Sequence, residues 1–469
     1  MSYSHDAIVI GAGAAGLTAA GGIALFGRKV ALIEAGEMGG ECLNTGCVPS
    51  KALLAAAARA SGRGKAMGVD LGTPKVEWSG VIGHVHAAIA AIAPHDSVER
   101  FEGMGVEVIR ARARLLGKGR VKAGERELSA PRIVIATGSK PAIPPIEGID
   151  AVPYLTNETL WGLDELPDHL LIVGAGNVGM EMAQAFVRLG SDVTVIEPDR
   201  PLARDDAEAA QAVVARLERE GVHFKKAQVR KASGGRGAIA LETDSGEILA
   251  GSHVLIAAGR RANVEGLGLE AEGVRIGEGG IETDARRRTS NRRIYAIGDC
   301  RAGPRLTHVA GYEGSNVVVE IALGVPTKAD FSALPWCTYT DPELAQVGLT
   351  EAEAMARWGE RVRVVREGFD HNDRAIADGR NEGFCKLVMK GRKLVGATIV
   401  GAHAGELLLP LAQVITGKAS TFALGSAIIA YPTRIEITKA ASFAAWEPLV
   451  FGAWSKRWAA LVAKIRRIG

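Results

Sequence analysis

Two cysteines, Cys42 and Cys47, are separated by four residues in GGECLNTGCVPSKALL, which runs from Gly39 to Leu54. A loop this short closes into a disulfide when the backbone bends, and Gly46 supplies the freedom to bend. Spacing alone leaves three readings open: a redox disulfide, a metal site or two buried thiols. A metal site lacks two further ligands at fixed spacing. The redox pair comes first, because cytosolic chains seldom carry structural disulfides. The other cysteines, Cys300, Cys337 and Cys385, are isolated and read as ordinary buried thiols.

A second chemistry is written twice. AIVIGAGAAG (Ala7 to Gly16) and LLIVGAGNVG (Leu170 to Gly179) each give an apolar run, then G-x-G-x-x-G, then an Ala-rich stretch. A further apolar run follows each and ends at an acid, Glu34 or Glu197, 23 positions after the first glycine. This is the dinucleotide-binding fingerprint in its strand–turn–helix context. Gly11 and Gly174 allow the turn, Gly13 and Gly176 let a pyrophosphate approach the backbone, and Gly16 and Gly179 let helix and strand pack closely. Ala14 and Ala15 open the first helix, whose N-terminus faces the phosphates. Glu34 and Glu197 are placed for a ribose diol. Two such sites on one chain suggest a flavin and a nicotinamide. Glu197 favours NADH over NADPH by repelling a 2′-phosphate, although Arg200 and Arg204 follow closely.

The elements that must position these groups belong to a large chain. It has 469 residues, roughly three domains' worth. The 56 basic residues nearly balance the 53 acidic ones, which gives no case for nucleic-acid binding. The 59 glycines suit an α/β protein with many tight turns. No apolar run reaches the roughly 18 residues of a membrane span. The first strand-like run starts at Ala7 with no signal peptide before it, which points to the cytoplasm.

The cysteine segment resembles the active-site signature of the flavin-dependent pyridine nucleotide–disulfide oxidoreductases. That family includes dihydrolipoyl dehydrogenase, glutathione reductase and mercuric reductase. ATGSKP (136–141), AAGRRAN (257–263) and AIGDC (296–300) match it in order, and the resemblance runs from about residue 5 to about residue 443. It implies two Rossmann-type α/β domains and a C-terminal α+β dimerisation domain, in a homodimer with FAD and NADH or NADPH. The expected divisions are FAD-binding at 1–150 and 273–335, NAD(P)-binding at 151–272 and dimerisation at 336–445. Cys47 becomes the thiol beside the flavin and Cys42 the interchange thiol that meets the substrate. Lys51 is implied beside the flavin N5, paired with Glu181. Asp299 is implied at the ribityl chain, and Thr137, Gly138 and Gly259 join the cofactor contacts. His308 is read as structural.

The C-terminal signature departs from the disulfide-reducing members, which read His-Pro-Thr followed by Glu. This chain reads AYPTRIEITKAA (430–441), with Tyr431 in place of the His and Glu436 retained. An unperturbed Tyr titrates near 10 and a His near 6.5, so a neutral phenol donates a hydrogen bond at pH 7 but accepts a proton poorly. Tyr431 and Glu436 are expected at the partner's site. The YPT pattern resembles a mercuric-reductase-like branch, although the vicinal Cys pair at the end of mercuric reductases is missing. The acceptor is thus expected to be a small-molecule disulfide, metal ion or relative, with dihydrolipoamide chemistry as the alternative. His371 and Arg374 are expected on a solvated interface strand or near a substrate channel.

Residues 446–469 lie outside the resemblance. On a helix, Phe451, Trp454, Trp458, Leu461, Val462, Ile465 and Ile468 share one face, and Lys456, Arg457, Lys464, Arg466 and Arg467 take the rest. Such a helix either docks on its own dimer or lies in the plane of an anionic membrane at the inner face. The second alternative brings a rival function: a membrane-surface NADH:quinone or diaphorase enzyme in which the cysteines are secondary.

Overall fold

The computed structural model describes residues 3–61, 65–70 and 72–468. Short apolar runs become strands buried on both faces, as a parallel sheet between helices requires. The first sheet orders Ile294–Ala296, Ile133–Ile135, Ala7–Ile10, Val30–Glu34 and Val106–Arg110, all parallel. The helix Ala14–Leu25 packs across it against Thr307–Leu323. Strand Ile294–Ala296 enters from a part of the chain about 160 residues downstream of its neighbour, so this unit is built from two separated segments.

The second parallel sheet orders Tyr154–Leu155, His253–Ile256, His169–Val173, Asp192–Ile196 and Val222–Lys225. The internal repeat reaches beyond the glycine loops. In each unit the last strand in chain order before the insert leads into a three-stranded antiparallel sheet: Ala113–Gly117, Arg120–Ala123 and Arg126–Ser129 in one, Val229–Gly235, Ala238–Thr243 and Ile248–Gly251 in the other.

The chain crosses between the two units on a pair of antiparallel connectors, Ser139–Pro141 and Arg260–Ala262. Just after the first crossing, Ile146, Ile149 and Val152 pack into the core of the second unit. Just after the second, Leu267 and Leu269 return to the core of the first with Leu115 and Ile294.

The third sheet is antiparallel: Pro335–Thr338, Glu343–Gly348, Lys393–Gly401, Phe384–Lys390 and Val362–Gly368. Helices Leu409–Ile415 and Glu436–Ala444 close its core. His371 and Arg374 sit on the short helices Phe369–His371 and Asp373–Ala377 rather than on an interface strand. They do not line the central cleft among the described residues. Both are tied to local acids, His371 to Asp370 and Arg374 to Asp378.

Trp446 belongs to this third unit and not to the tail. Its indole N–H donates to Thr421 Oγ1 at 2.7 Å, and its ring meets Phe422 edge-on. The projecting helix starts later, at Ala453, and runs to Ile468. The side chains of Arg467 and Ile468 lie outside the described ones. No helix among the described residues is long and apolar enough to cross a membrane.

Candidate active site

A cleft of about 2440 Å³ runs between the three units and connects both glycine loops to the cysteine pair. Its two ends repeat one design. Gly11 (φ +104°) and Gly174 (φ +108°) turn sharply, and a Cβ on either would overlap a carbonyl of the neighbouring strand's exit. Gly16 and Gly179 do not line the cleft. A Cβ there would strike the carbonyl of Gly11 or Gly174, so their work is helix-to-loop packing. Gly13, Ala14, Ala15 and Gly176 face the cleft.

The acids are anchored in the same way at both ends. Glu34 accepts N–H bonds from Ala12 and Gly36, and Glu197 accepts them from Ala175 (2.9 Å) and Asp199 (3.2 Å). Each carboxylate is thus held at the strand tip with acceptor capacity left for a diol. Gly138 and Gly259, both at positive φ, have no atom near the place a Cβ would occupy. The open ground above Gly13, Gly138, Gly176 and Gly259 is the cradle that two extended dinucleotides need, and the residues present fit them.

Between the two ends lies the redox segment. Cys42 sits in the short helix Gly40–Asn44, and Cys47 is the first residue of the helix Cys47–Ala60. Gly46 joins them with its Cβ position tight against the Glu41 carbonyl. In the reduced pair both sulfurs are thiols. Cys47 is lowered to about 6, first by the hydrogen bond from Cys42, then by Thr307 Oγ1 at 3.1 Å and the Lys51 ammonium. Its place at a helix N-terminus acts in the same direction. Cys42 is pushed upward, first because it is the donor to Cys47 and then by burial. One thiol is therefore the thiolate at neutral pH and the other carries the proton.

Lys51 lies one turn along the helix from Cys47, with Nζ 2.8 Å from Glu181 Oε2 and 4.3 Å from the Tyr339 ring centre. Glu181, on the second unit's helix Asn177–Leu189, is buried, and its other oxygen accepts the Tyr339 N–H at 2.9 Å. All three units thus meet at this one carboxylate.

On the opposite wall, Ser139 donates to Asp299 Oδ2 at 2.8 Å, and Arg260 Nε donates to Ser139 at 2.8 Å. The same guanidinium pairs with Glu41, which burial raises against Arg260's opposing charge. Asn157 also donates to Glu41 at 2.8 Å. Glu41, Arg260, Thr307, Asn157 and Tyr339 were not singled out from the sequence. Glu41 and Arg260 lie inside quoted motifs and Thr307 lies beside His308, whereas Asn157 and Tyr339 have no local signal.

Asp299 is held from behind. Glu313, fully buried, accepts the Gly298 N–H at 2.8 Å and pairs with buried Arg301, and Arg287 lies 3.5 Å away. Burial lowers Arg287. Removing Glu313 would leave two buried guanidinium groups without their carboxylate. Glu313→Ala is expected to lower stability by about 3–5 kcal/mol. A denaturation midpoint unchanged from the parent would contradict this.

Cys300 and Cys385 are buried as expected, and burial raises both. Cys337 differs: it is half-buried and lines the cleft. His308, beside Thr307, bonds the Pro335 carbonyl oxygen at 2.8 Å, a structural link to the third unit. Tyr431 and Glu436 do not line their own chain's cleft among the described residues. The exposed Tyr431 hydroxyl donates to Asp373 Oδ2 at 2.7 Å, and Glu436 folds back to accept the Thr433 N–H at 3.1 Å. Asp373 raises Tyr431 further, so the phenol stays protonated.

Residues 5–314 match the family model described as pyridine nucleotide-disulphide oxidoreductase, and residues 334–442 match its dimerisation domain. A mercuric reductase of Streptomyces lividans is 34% identical over 453 residues, covering 93% of this chain and 95% of that protein. Dihydrolipoyl dehydrogenase 3 of Haloarcula marismortui is also 34% identical, over 457 residues, with the same two coverages. Among solved structures, the HOCl-induced flavoprotein disulfide reductase RclA from Escherichia coli superposes with a TM-score of 0.84 at 26% identity. The match covers 93% of this chain and 98% of that one.

Proposed function

Because this chain belongs to the pyridine nucleotide–disulphide oxidoreductase family, we propose that it passes electrons from NADH through Cys42 and Cys47 to a disulfide, metal-ion or related acceptor. It is an FAD-dependent oxidoreductase that uses a pyridine nucleotide, and its dimerisation domain supports a homodimer. FAD, when bound, supplies two-electron chemistry between the nucleotide and the cysteine pair. The division that goes with this reading is FAD-binding at 1–150 and 273–335, NAD(P)-binding at 151–272, dimerisation at 336–446 and a terminal helix at Ala453–Ile468. The cytoplasm is the proposed location.

The observation that carries the reading is the split between the two thiols. Gly11, Gly13, Ala14, Ala15, Glu34, Thr137, Gly138 and Asp299 would hold FAD, with Lys51 reaching toward its reactive edge. Gly174, Gly176, Glu197 and Gly259 would hold the nucleotide, while Gly16 and Gly179 keep the two loops in shape. Cys47 rests as the thiolate, and Cys42 keeps a proton. Cys42 sulfur attacks one sulfur of an acceptor disulfide, its proton leaving on a product thiol. Cys47 thiolate then attacks Cys42 sulfur, releasing the second product and restoring the protein disulfide. Tyr431 and Glu436 of the partner subunit are proposed to stand at the acceptor. There a protonated phenol can orient an acceptor or donate to a leaving thiolate, but it withdraws a proton poorly.

Raising the pH of the reduced protein should convert Cys47 to thiolate with a midpoint near 6. Thr307→Val removes a hydrogen bond to the charged form, so that midpoint should rise. Thiolate ultraviolet absorbance checks both, and a single midpoint near the ordinary thiol value of about 8.5 would count against the assignment.

NADH is preferred in this reading. Glu197 is fixed by two backbone amides, and Arg200 Nη2 is turned inward to the carbonyls of Ala203 and Asp205. The expected kcat/KM for NADH exceeds that for NADPH by about tenfold or more, and Glu197→Ala narrows the gap. Equal or inverted ratios in the parent protein would refute it.

A second reading, an NADH:quinone-type enzyme in which the cysteines are secondary, is favoured by one observation. The C-terminal helix leaves an apolar face in solvent, as an enzyme that reaches a lipid-soluble acceptor would need.

A further inference from the structure

The terminal helix Ala453–Ile468 lies beyond the segments shared with the family, which end at residue 442. Trp454, Trp458, Leu461 and Ile465 recur at helical spacing and form one stripe. They are 76%, 56%, 48% and 61% exposed, far more than a stripe covered by its own chain would be. The two indoles lie parallel, 2° apart in plane, with centres 6.2 Å apart. Phe451, in the turn before the helix, is 54% exposed and packs edge-on to Phe443. Only Ser455 and Val462 are half-buried among the described side chains of the helix, and they share one narrow edge of it.

The charge pattern decides what covers the stripe. At 100° per residue, Arg457 and Lys464 flank one side of it and Arg466 the other, with Lys456 behind. All four are exposed, and none forms an ion pair among the described residues. No acidic residue occurs after Glu447. An apolar partner surface would satisfy the stripe but leave the cations unanswered. A second copy of this helix would bring cation against cation. A layer with an apolar interior and an anionic rim answers both, and indoles prefer that boundary. Sixteen residues make about 24 Å of helix, with charges throughout, so the helix lies in the plane and does not cross.

We propose that residues 453–468 dock the protein on an anionic lipid bilayer, inserting Trp454, Trp458, Leu461 and Ile465 and setting the flanking cations among lipid phosphates. The proposal does not depend on the redox route, since no residue of the cleft takes part.

The test is co-sedimentation of the FAD-loaded, full-length dimer with phosphatidylcholine vesicles, with and without phosphatidylglycerol. The bound fraction should be about tenfold higher with phosphatidylglycerol and should fall at high salt. The double variant Trp454→Ser/Trp458→Ser and a chain ending at Gly452 should both lose binding. Both should keep parental NADH oxidation with a water-soluble acceptor, which shows that each has folded. No binding by the parent, equal binding by either variant, or equal binding to both vesicles overturns the proposal. So does dissociation of the dimer on truncation, which would assign the stripe to a second copy. Failure of the redox reading would register separately, as turnover that survives loss of Cys42.

Discussion

Cys42→Ser will lower turnover of a disulfide or metal-ion acceptor by about a thousandfold or more, because a residue that makes the reacting bond is not replaced by its neighbours. A serine oxygen cannot form the S–S bond that Cys47 must later open. Cys42→Ser replaces the largest of the contacts that lower Cys47, the Cys42 thiol donor, with a hydroxyl, while Thr307, Lys51 and the helix N-terminus remain. Reduction by NADH and diaphorase turnover with a quinone should therefore continue. The contrast between acceptors is the informative reading. Full physiological turnover in the variant would favour the membrane-surface quinone enzyme over the thiol route. Lipoamide belongs in the same assay. Brisk turnover of it would mean that Tyr431 is no obstacle and that another group or water carries the proton.

Gly13→Val and Gly176→Val are expected to separate the two nucleotide sites without unfolding either. Gly176 has open space where a Cβ would go, and at Gly13 the nearest atom is the Gly40 Cα at 3.8 Å. Both have extended backbone dihedrals that a valine tolerates. The added side chain fills ground that a pyrophosphate would use. Gly13→Val should be purified with little or no FAD. Gly176→Val should keep FAD and lose about a hundredfold in kcat/KM for NADH, a cost of about 2.7 kcal/mol in transition-state stabilisation. If Gly176→Val loses FAD while Gly13→Val keeps it, the assignment of the two loops is reversed. Gly16→Ala and Gly179→Ala would be poor tests, since an added Cβ there meets backbone and the fold itself is at stake.

The parts of this protein legible in its sequence are those whose chemistry is local. A G-x-G-x-x-G loop specifies its own turn, because the backbone angles and close contacts that need glycine lie within a few residues. Cys42, Gly46 and Cys47 likewise lie on one short bend, and Lys51 is one helical turn away. The fold class follows from such stretches, and so do the proposed nucleotide sites and redox pair.

What only the tertiary structure decided is which distant groups meet them. Tyr339 closes the Lys51–Glu181 pair from 158 residues beyond Glu181, through a backbone N–H that every non-proline residue carries. That N–H carries no residue-type signal, and the ring's place over Lys51 is set by the same long-range meeting. Thr307 and Arg260 carry ordinary side chains whose importance depends on long-range placement, Arg260 by the crossing at 139–141 and 260–262 and Thr307 by its helix reaching Cys47. Cys337 has the same sequence appearance as Cys385, yet one lines the cleft and the other is buried, because they lie on different strands of one sheet. Trp446 joined the third unit, although its neighbours downstream did not, because Thr421 and Phe422 were there to receive it. Periodicity fixed which residues of the terminal helix share a face. Whether that face was covered by the chain's own body depended on packing across the whole fold, and the structure leaves it bare.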